Sequence, residues 1–426
     1  MKVTYLVNSM ILIEGKNTKV LCDPWVTFDR YSASGLYNFP EIKVTKEEIA
    51  AIKPDFIYLT HTHEDHFDPI TIGLFDKDTP VLVANYANNF TQRSVQALGF
   101  TDVRVCNFED GLPLNGDDRA WIEPSAIYDD VDSIGAFKID GEILVNANDC
   151  PFSEEQCTKI KDKFGTIDFA CVPFATQGPY PAFYENLSPE EKKEKSDAKK
   201  QRGYREMLGF TKTLAPERVF PFAAGAMYGA AKALNFEYYG VGTQKDAAEV
   251  LEAEGYGDQI ILMSNMCSYD TSTEEMSGEY EHKTHLTEQE YIQDISTKSN
   301  KFDEGGKFWI APDQRKDLTK LLAKARKNQK VWQDRKNVVS DKAFFIDVGQ
   351  GYLYRLSLGD LEVTTMQEED ITDKVYEIFR MPYPLLIGLL TAHYNYSNVK
   401  TQYMSFYREP DDFDPDIHIL MSFLQL

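Results

Sequence analysis

Apolar positions in the first half of this chain fall in short runs broken by polar turns, with helical spacing between several of them. Thr4 to Val7 and Met10 to Ile13 read as two short strands. A Gly15-Lys16-Asn17 turn leads to a third, Lys19 to Cys22, which closes on Asp23-Pro24-Trp25. In the long loop from Val26 to Glu41, Tyr31, Tyr37 and Phe39 could form a substrate lid, although aromatic loop residues more often pack the loop down. Thr45 caps a short helix through Ala51, with Glu48 in the capping-box position. The run Phe56-Ile57-Tyr58-Leu59 predicts a buried strand ending at Thr60. Beyond it come strand Val81 to Ala84, helix Phe90 to Leu98, strand Val103 to Cys106, and strands at Ala120 to Ile122, Ala136 to Ile139 and Ile143 to Asn146. Two more follow at Phe169 to Pro173 and Val219 to Ala223, the second leading to a helical stretch with Asn235. Hairpins mixed with strand-helix units suit a layered α/β fold.

The pattern then changes character. Residues 186–210 carry dense Lys and Glu without an apolar stripe and read as a solvated helical insertion. Residues 276–341 are polar, lysine-rich and mostly helical in pattern, which suits a connector. The tail, 342–426, is rich in β-type residues from Ala343 to Met366 and apolar from Met381 to Leu390, and reads as a small α+β module. The expected division is therefore a main domain over 1–275, a helical connector and a C-terminal module.

At 426 residues the chain is long enough for more than one domain. With 45 Lys and Arg against 68 Asp and Glu, the net charge of −23 argues against nucleic acid as a partner. The six cysteines show no paired spacing, as expected of free thiols in a reducing compartment. The N-terminus alternates like a strand rather than a leader, and no apolar stretch reaches the ~18 residues that span a bilayer. A cytoplasmic protein without membrane contact is the expectation.

The chemistry concentrates in His61-Thr62-His63-Glu64-Asp65-His66, directly after a predicted strand. Side chains alternate along an extended segment, so His61 and His63 share a side, and Asp65 and His66 follow where the chain turns toward a helix. Imidazole nitrogen and carboxylate oxygen together suit zinc, iron or manganese, and this many donors so close together can serve two adjacent ions.

A hexapeptide of the form HxHxDH at a strand end, with Asp23 closing an upstream strand and Asp149 a downstream one, resembles the metallo-β-lactamase superfamily. That resemblance implies an αββα sandwich with metals at one edge, His61, His63, Asp65, His66 and Asp149 as ligands, and Asp149 as the bridging carboxylate. The superfamily's third-motif histidine is absent. Tyr128 stands at its spacing, followed by Asp129, Asp130 and Asp132, and one of these four is expected to face the metals instead. No histidine follows the strand Phe169 to Pro173 at Phe174-Ala175-Thr176-Gln177-Gly178, and His282, His285, His393 and His418 lie far along the chain. Asp65 and Tyr128 are the candidate catalytic side chains.

Asp130-Val131-Asp132-Ser133, Val145-Asn146-Ala147-Asn148-Asp149-Cys150 and Val219-Phe220-Pro221-Phe222-Ala223 with Asn235 are similar to the metallo-β-lactamase part of CMP-N-acetylneuraminate hydroxylases and related bacterial sugar-nucleotide hydroxylases. So are Leu389-Leu390-Thr391-Ala392-His393-Tyr394-Asn395 and Phe406-Tyr407-Arg408-Glu409-Pro410. Those hydroxylases also carry a Rieske module with paired Cys-x-His elements, and no cysteine here has a histidine two residues on. His61, His63 and Asp149 make a two-histidine, one-carboxylate set of the kind that binds non-haem iron. Three readings follow: an iron oxygenase acting on a small molecule and fed by a ferredoxin or Rieske-type donor, a zinc or manganese hydrolase of a small ester, amide or phosphodiester, and a metal-binding fold without catalysis.

Overall fold

The computed structural model describes all residues except 27–34, 43, 87–88, 128–131, 177, 282–284 and 299, and the side chains of all of these except 285–287, 397–398 and 419. Tyr31, Tyr128, Asp129, Asp130 and His282 therefore lie outside the described residues, and the side chain of His285 with them.

Two sheets face each other. The first orders its strands Glu275–Ser277, Ser268–Asp270, Lys2–Val7, Met10–Glu14, Lys19–Cys22, Phe56–Tyr58, Val81–Ala84 and Val103–Cys106. The second runs Arg218–Phe222, Phe169–Pro173, Glu142–Asn146, Ser133–Ile139, Arg119–Pro124 and Leu112–Pro113. Alternation along each strand assigns the two faces. Val20 and Cys22 meet Phe137, Leu144 and Phe220 in the core between the sheets, whereas Leu21 points outward with Leu12 and Ile57. Those outward residues pack on Ile49, Ile72 and Val95 from the helices Lys46–Ala50, Pro69–Ile72 and Phe90–Ala97. On the other flank Val145, Ala170 and Val219 bury Cys157, Ile160, Met207, Phe210 and Leu251 from the helices Glu154–Phe164, Pro189–Leu214 and Gln244–Ala253. The layers are thus helix, sheet, sheet, helix.

The charged insertion departs from expectation. It is one helix, Pro189–Leu214, and its second half buries Gly203, Tyr204, Met207, Phe210 and Leu214 against the sheet. Its polar first half masks an apolar stripe that begins at Tyr204. Gly203 carries no Cβ for a steric reason, since one built there would lie 2.5 Å from the Phe174 carbonyl oxygen. The edge strands Glu275–Ser277 and Leu112–Pro113 carry little apolar signal and are held by pairing.

A third sheet, in the order Val363–Met366, Leu353–Ser357, Ala343–Asp347, Tyr376–Arg380 and Ser405–Glu409, gathers the C-terminal residues with the helices Thr319–Arg335, Tyr383–Leu390, Tyr396–Tyr403 and Pro415–Met421. Its core is shared with earlier parts of the chain. Trp25, Leu36, Phe183, Tyr184, Tyr228 and Tyr239 lie in the same cluster as Phe344, Phe379 and Phe406. Tyr184 stacks on Phe406 with ring centroids 5.1 Å apart.

Candidate metal centre

The hexapeptide leaves strand Phe56–Tyr58 two residues after it ends, crosses a turn, and enters the short helix Pro69–Ile72, capped by Asp68. It therefore sits at the edge where the parallel strands of the first sheet open. Asp23 caps the neighbouring strand, with both carboxylate oxygens committed: Oδ1 accepts from the Thr60 amide at 2.8 Å, and Oδ2 from the Thr60 hydroxyl at 2.7 Å. That same Oδ2 lies 2.9 Å from His66 Nδ1. Ser9 Oγ stands 3.0 Å from the same nitrogen. These contacts favour a proton on Nδ1 and turn His66 Nε2 inward, where a bound metal would take the place of its proton.

His61 is held in the same way. Its Nδ1 lies 3.0 Å from Thr60 Oγ1 and 3.3 Å from Asn148 Nδ2, while its Nε2 faces His63 Nδ1 at 2.7 Å and Asp132 Oδ1 at 3.4 Å. Asp149 Oδ2 is 4.0 Å from His61 Nε2 and 3.5 Å from His66 Nε2. Asp65 Oδ2 is also 3.5 Å from His66 Nε2, and Asn8 Nδ2 steadies it at 3.3 Å while donating to the Asp65 carbonyl at 3.2 Å. Asn8, Asp23 and Asn148 have left-handed backbones, φ 53°, 45° and 56°, a conformation that Asn and Asp tolerate better than most residues.

Two groups of donors converge, His61 with His63 and Asp132, and His61 with His66 and Asp149, the ligand atoms of each lying within 4.8 Å of one another. The expected grouping of Asp149 with His61 and His63 is replaced by one in which Asp132 joins that histidine pair. Asp132 Oδ1 and Asp149 Oδ1 are buried without a hydrogen-bond partner among the described residues. An unpaired buried carboxylate oxygen is costly, and nitrogen lone pairs converging beside it compound the cost. Both are relieved by a cation, so the residues present fit one or two transition-metal ions. His393 and His418 are elsewhere; His418 pairs with Glu377 at 3.1 Å in the C-terminal module.

Electrostatics follow the same division. Burial and the neighbouring His66 push the His61 imidazole well below the usual histidine range, and burial takes His63 to about 4 against the pull of Asp149 and Asp65. Burial also works against a charged His66, but Asp65, Asp149 and Asp23 together hold its imidazolium well above the usual range. Burial and the facing Asp149 raise the Asp132 carboxyl well above the usual carboxylate range. Asp149 is itself held low by His66 and His61, against its burial. Metal binding at this cluster must therefore displace protons.

Two facing sheets sandwiched by helices, with an HxHxDH turn at one edge and carboxylates delivered by Asp23 and Asp149 from adjoining strand ends, decide the fold. The chain has a metallo-β-lactamase fold. No model of a known protein family matches it. A stretch of 101 residues is 36% identical to a Rieske 2Fe-2S iron-sulfur protein of Mycolicibacterium smegmatis, covering 24% of this chain and 19% of that one. Another, of 153 residues, is 23% identical to the cytidine monophosphate-N-acetylneuraminic acid hydroxylase of Asterias rubens, covering 35% of this chain and 23% of that one. The chain thus matches about a fifth of the length of these relatives. Among solved structures, one described as a possible metal-dependent hydrolase from Veillonella parvula aligns with a TM-score of 0.47 at 14% identity, over 63% of this chain and 98% of that one. No helix among the described residues is long and apolar enough to cross a membrane.

Reading by residue type found the donors but missed the residues that aim them. Asn8 and Ser9 fall unassigned between two expected strands, Thr60 enters only as a strand end, and Asn148 only as part of the motif around Asp149. The one available signal was a pair of polar residues, Asn8-Ser9, between two apolar strands that bury nearly every side chain.

Proposed function

We propose that this protein is a non-haem iron oxygenase of the hydroxylase type, acting on a small molecule and taking electrons from a separate ferredoxin or Rieske-type protein. The observation that carries this reading is the donor balance. Beside His61 and His63 stands the carboxylate of Asp132, with an oxygen that nothing else satisfies, where an imidazole would complete a zinc-like set. His61, His63 and His66 would share the ions with Asp65, Asp132 and Asp149, and hard oxygen donors favour iron or manganese over zinc. Bound there, iron supplies redox chemistry towards dioxygen.

The chain's own groups do the rest. Asp23 and Ser9 favour a proton on His66 Nδ1, Thr60 and Asn148 set the ring of His61, and Asn8 holds Asp65. Inserting one oxygen atom into a C–H bond while the other leaves as water consumes two electrons and two protons. This sequence contains no Cys-x-His element, and we assign the supply of electrons to a separate donor protein. The likeness to a Rieske protein and to a hydroxylase supports that pairing. On this reading the catalytic domain spans 1–275, the connector 276–341 and the C-terminal module 342–426, in a cytoplasmic protein with no call on nucleic acid.

The test is oxygen uptake by iron-loaded and zinc-loaded protein side by side, with a ferredoxin and its reductase. Uptake by the iron form alone, dependent on the donor, with label from dioxygen in the product, is expected. Turnover of an ester, amide or phosphodiester by the zinc form under strict anaerobiosis overturns the reading in favour of a hydrolase.

A further inference from the structure

Helix Thr319–Arg335, which packs with the third sheet, carries a charge that the rest of the chain does not share. Residues 315–336 hold nine Lys and Arg against two Asp, whereas the remainder of the chain holds 36 Lys and Arg against 66 Asp and Glu. The helix buries Leu322, Ala325, Arg326, Gln329 and Gln333. Arg326, the buried cation, is used internally, donating to the Ser357 and Leu358 carbonyls at 2.8 and 3.1 Å and to Gln333 at 2.7 Å. By helical periodicity the opposite stripe is Lys320, Lys324, Lys327, Val331 and Arg335, all of them exposed. Leu321 and Trp332 flank it at 37% and 40% exposure. The Trp332 ring is held in place, stacked on Phe423 with centroids 4.5 Å apart and with the Arg335 guanidinium 5.0 Å from its own centroid.

Faces that are merely solvated are built differently in this same chain. Helix Pro189–Leu214 pairs Lys193 with Asp197 at 3.1 Å and Arg202 with Glu206 at 3.7 Å, and helix Gln244–Ala253 pairs Lys245 with Glu249 at 3.7 Å. On Thr319–Arg335 both nearby carboxylates are taken: Asp317 accepts from the Thr319 amide and hydroxyl at 2.8 and 2.6 Å, and Asp334 pairs with Lys330 at 2.5 Å. Lys320, Lys324, Lys327 and Arg335 are left without an ion pair among the described residues. Lys324 stands four residues from Lys320 and three from Lys327, spacings at which like charges cost helix stability. An anionic surface laid over the stripe removes that cost.

An extended polyanion, such as a lipid sheet or a nucleic acid, would also meet the remaining surface, where Asp and Glu outnumber Lys and Arg. A compact partner meets the helix alone. The stripe from Lys320 to Arg335 spans about 22 Å, the width of one face of a small protein. Unpaired cations around an exposed aromatic suit a partner whose carboxylates ring an apolar spot: charge sets the approach and the register, and Trp332 supplies the desolvated centre. We infer that this face docks the separate electron donor, a small acidic protein of the ferredoxin type. The inference rests on the oxygenase reading. Leu322 and Ala325, on the buried side of the helix, belong to the same core as Trp25, two residues beyond Asp23 at the metal edge, so docking face and metal edge are parts of one packed body.

The test uses the whole, iron-loaded protein with a plant-type 2Fe-2S ferredoxin. Calorimetric titration with oxidised ferredoxin reads docking without turnover. Binding should weaken as salt is raised, and Lys320→Glu/Lys324→Glu/Lys327→Glu should weaken it about 10-fold or more and flatten the salt dependence. Trp332→Ala should weaken it about 10-fold with the salt dependence kept. Reduction of the ferric protein by reduced ferredoxin should slow by a similar factor in the triple variant. Reoxidation by dioxygen of protein reduced chemically and then desalted needs no docking and should match the parent. If the triple Glu variant fails to fold, the triple Gln variant reads the loss of charge alone. Equal affinity in a folded triple variant, no ferredoxin binding by the parent, or binding of phosphatidylserine vesicles in place of ferredoxin overturns the inference. Reduced iron that ignores dioxygen in a parent that binds ferredoxin counts against the oxygenase reading and leaves the docking face standing.

Discussion

Asp132→Asn separates the metal-binding role of this residue from any structural one, because the two predict opposite signs. Asn keeps the shape and removes the charge. Tetrahedral zinc sites bind with on the order of 10 kcal/mol over four ligands, so one ligand is worth roughly 2.5 kcal/mol, or close to 100-fold in affinity. Replacement by a neutral amide oxygen should forfeit a large part of that for the ion shared with His61 and His63. In metal-free protein the direction reverses. The Asp132 carboxyl titrates well above its unfolded range, chiefly through burial and then through Asp149. Its contribution to stability is therefore full below the ordinary carboxylate range and is lost as pH rises through the raised folded value. Metal-free Asp132→Asn, lacking that loss, should be more stable than the parent at neutral pH, and the gap should close on acidification. Competition titration with a chromophoric chelator measures the first effect, and thermal unfolding in chelator at pH 4 and pH 7 the second. Undiminished metal affinity, or a metal-free variant less stable than the parent at pH 7, would refute the reasoning.

Three further outcomes are expected. Asp23→Asn removes the carboxylate that orients His66 and should lower metal affinity about 10- to 100-fold without removing a ligand, which the same chelator titration checks. Lys232, whose ammonium donates to the Met404 carbonyl and lies 3.6 Å from the Phe183 ring centroid, is pulled by burial to about 7. A base with a depressed folded value gains stability as pH climbs from about 7 toward its unfolded value near 10.4, so the melting temperature of the parent should rise relative to Lys232→Met across that window, and a constant difference would contradict the shift. Tyr184→Ala empties a ring stacked on Phe406 at the junction of sandwich and C-terminal module and should cost about 3 to 5 kcal/mol in denaturant unfolding, against less than 1 kcal/mol if the junction is loose.

The sandwich was legible because its strands alternate cleanly and its parallel strands are apolar throughout: the run from Phe56 to Leu59 is buried along its whole length. The capping box at Thr45 and Glu48 formed as its spacing implied. The helix Pro189–Leu214 was half legible, because lysines and glutamates over its first turns dominate the composition while the packing face begins only at Tyr204. At the metal edge, residue type alone identified the imidazoles. The partition of Asp132 and Asp149 between the two histidine groups depends on how loops from different sheets meet, which spacing does not encode.

The central claim is that the oxygen-rich donor set of this fold selects iron. Elemental analysis of protein expressed and purified without added metal tests it most directly, with His61→Ala/His63→Ala as the control that should lose the metal while keeping the fold. Iron as the dominant metal in the parent, and its loss in the double variant, is the predicted result. Zinc filling the parent, or metal retained in full by the double variant, would contradict the account.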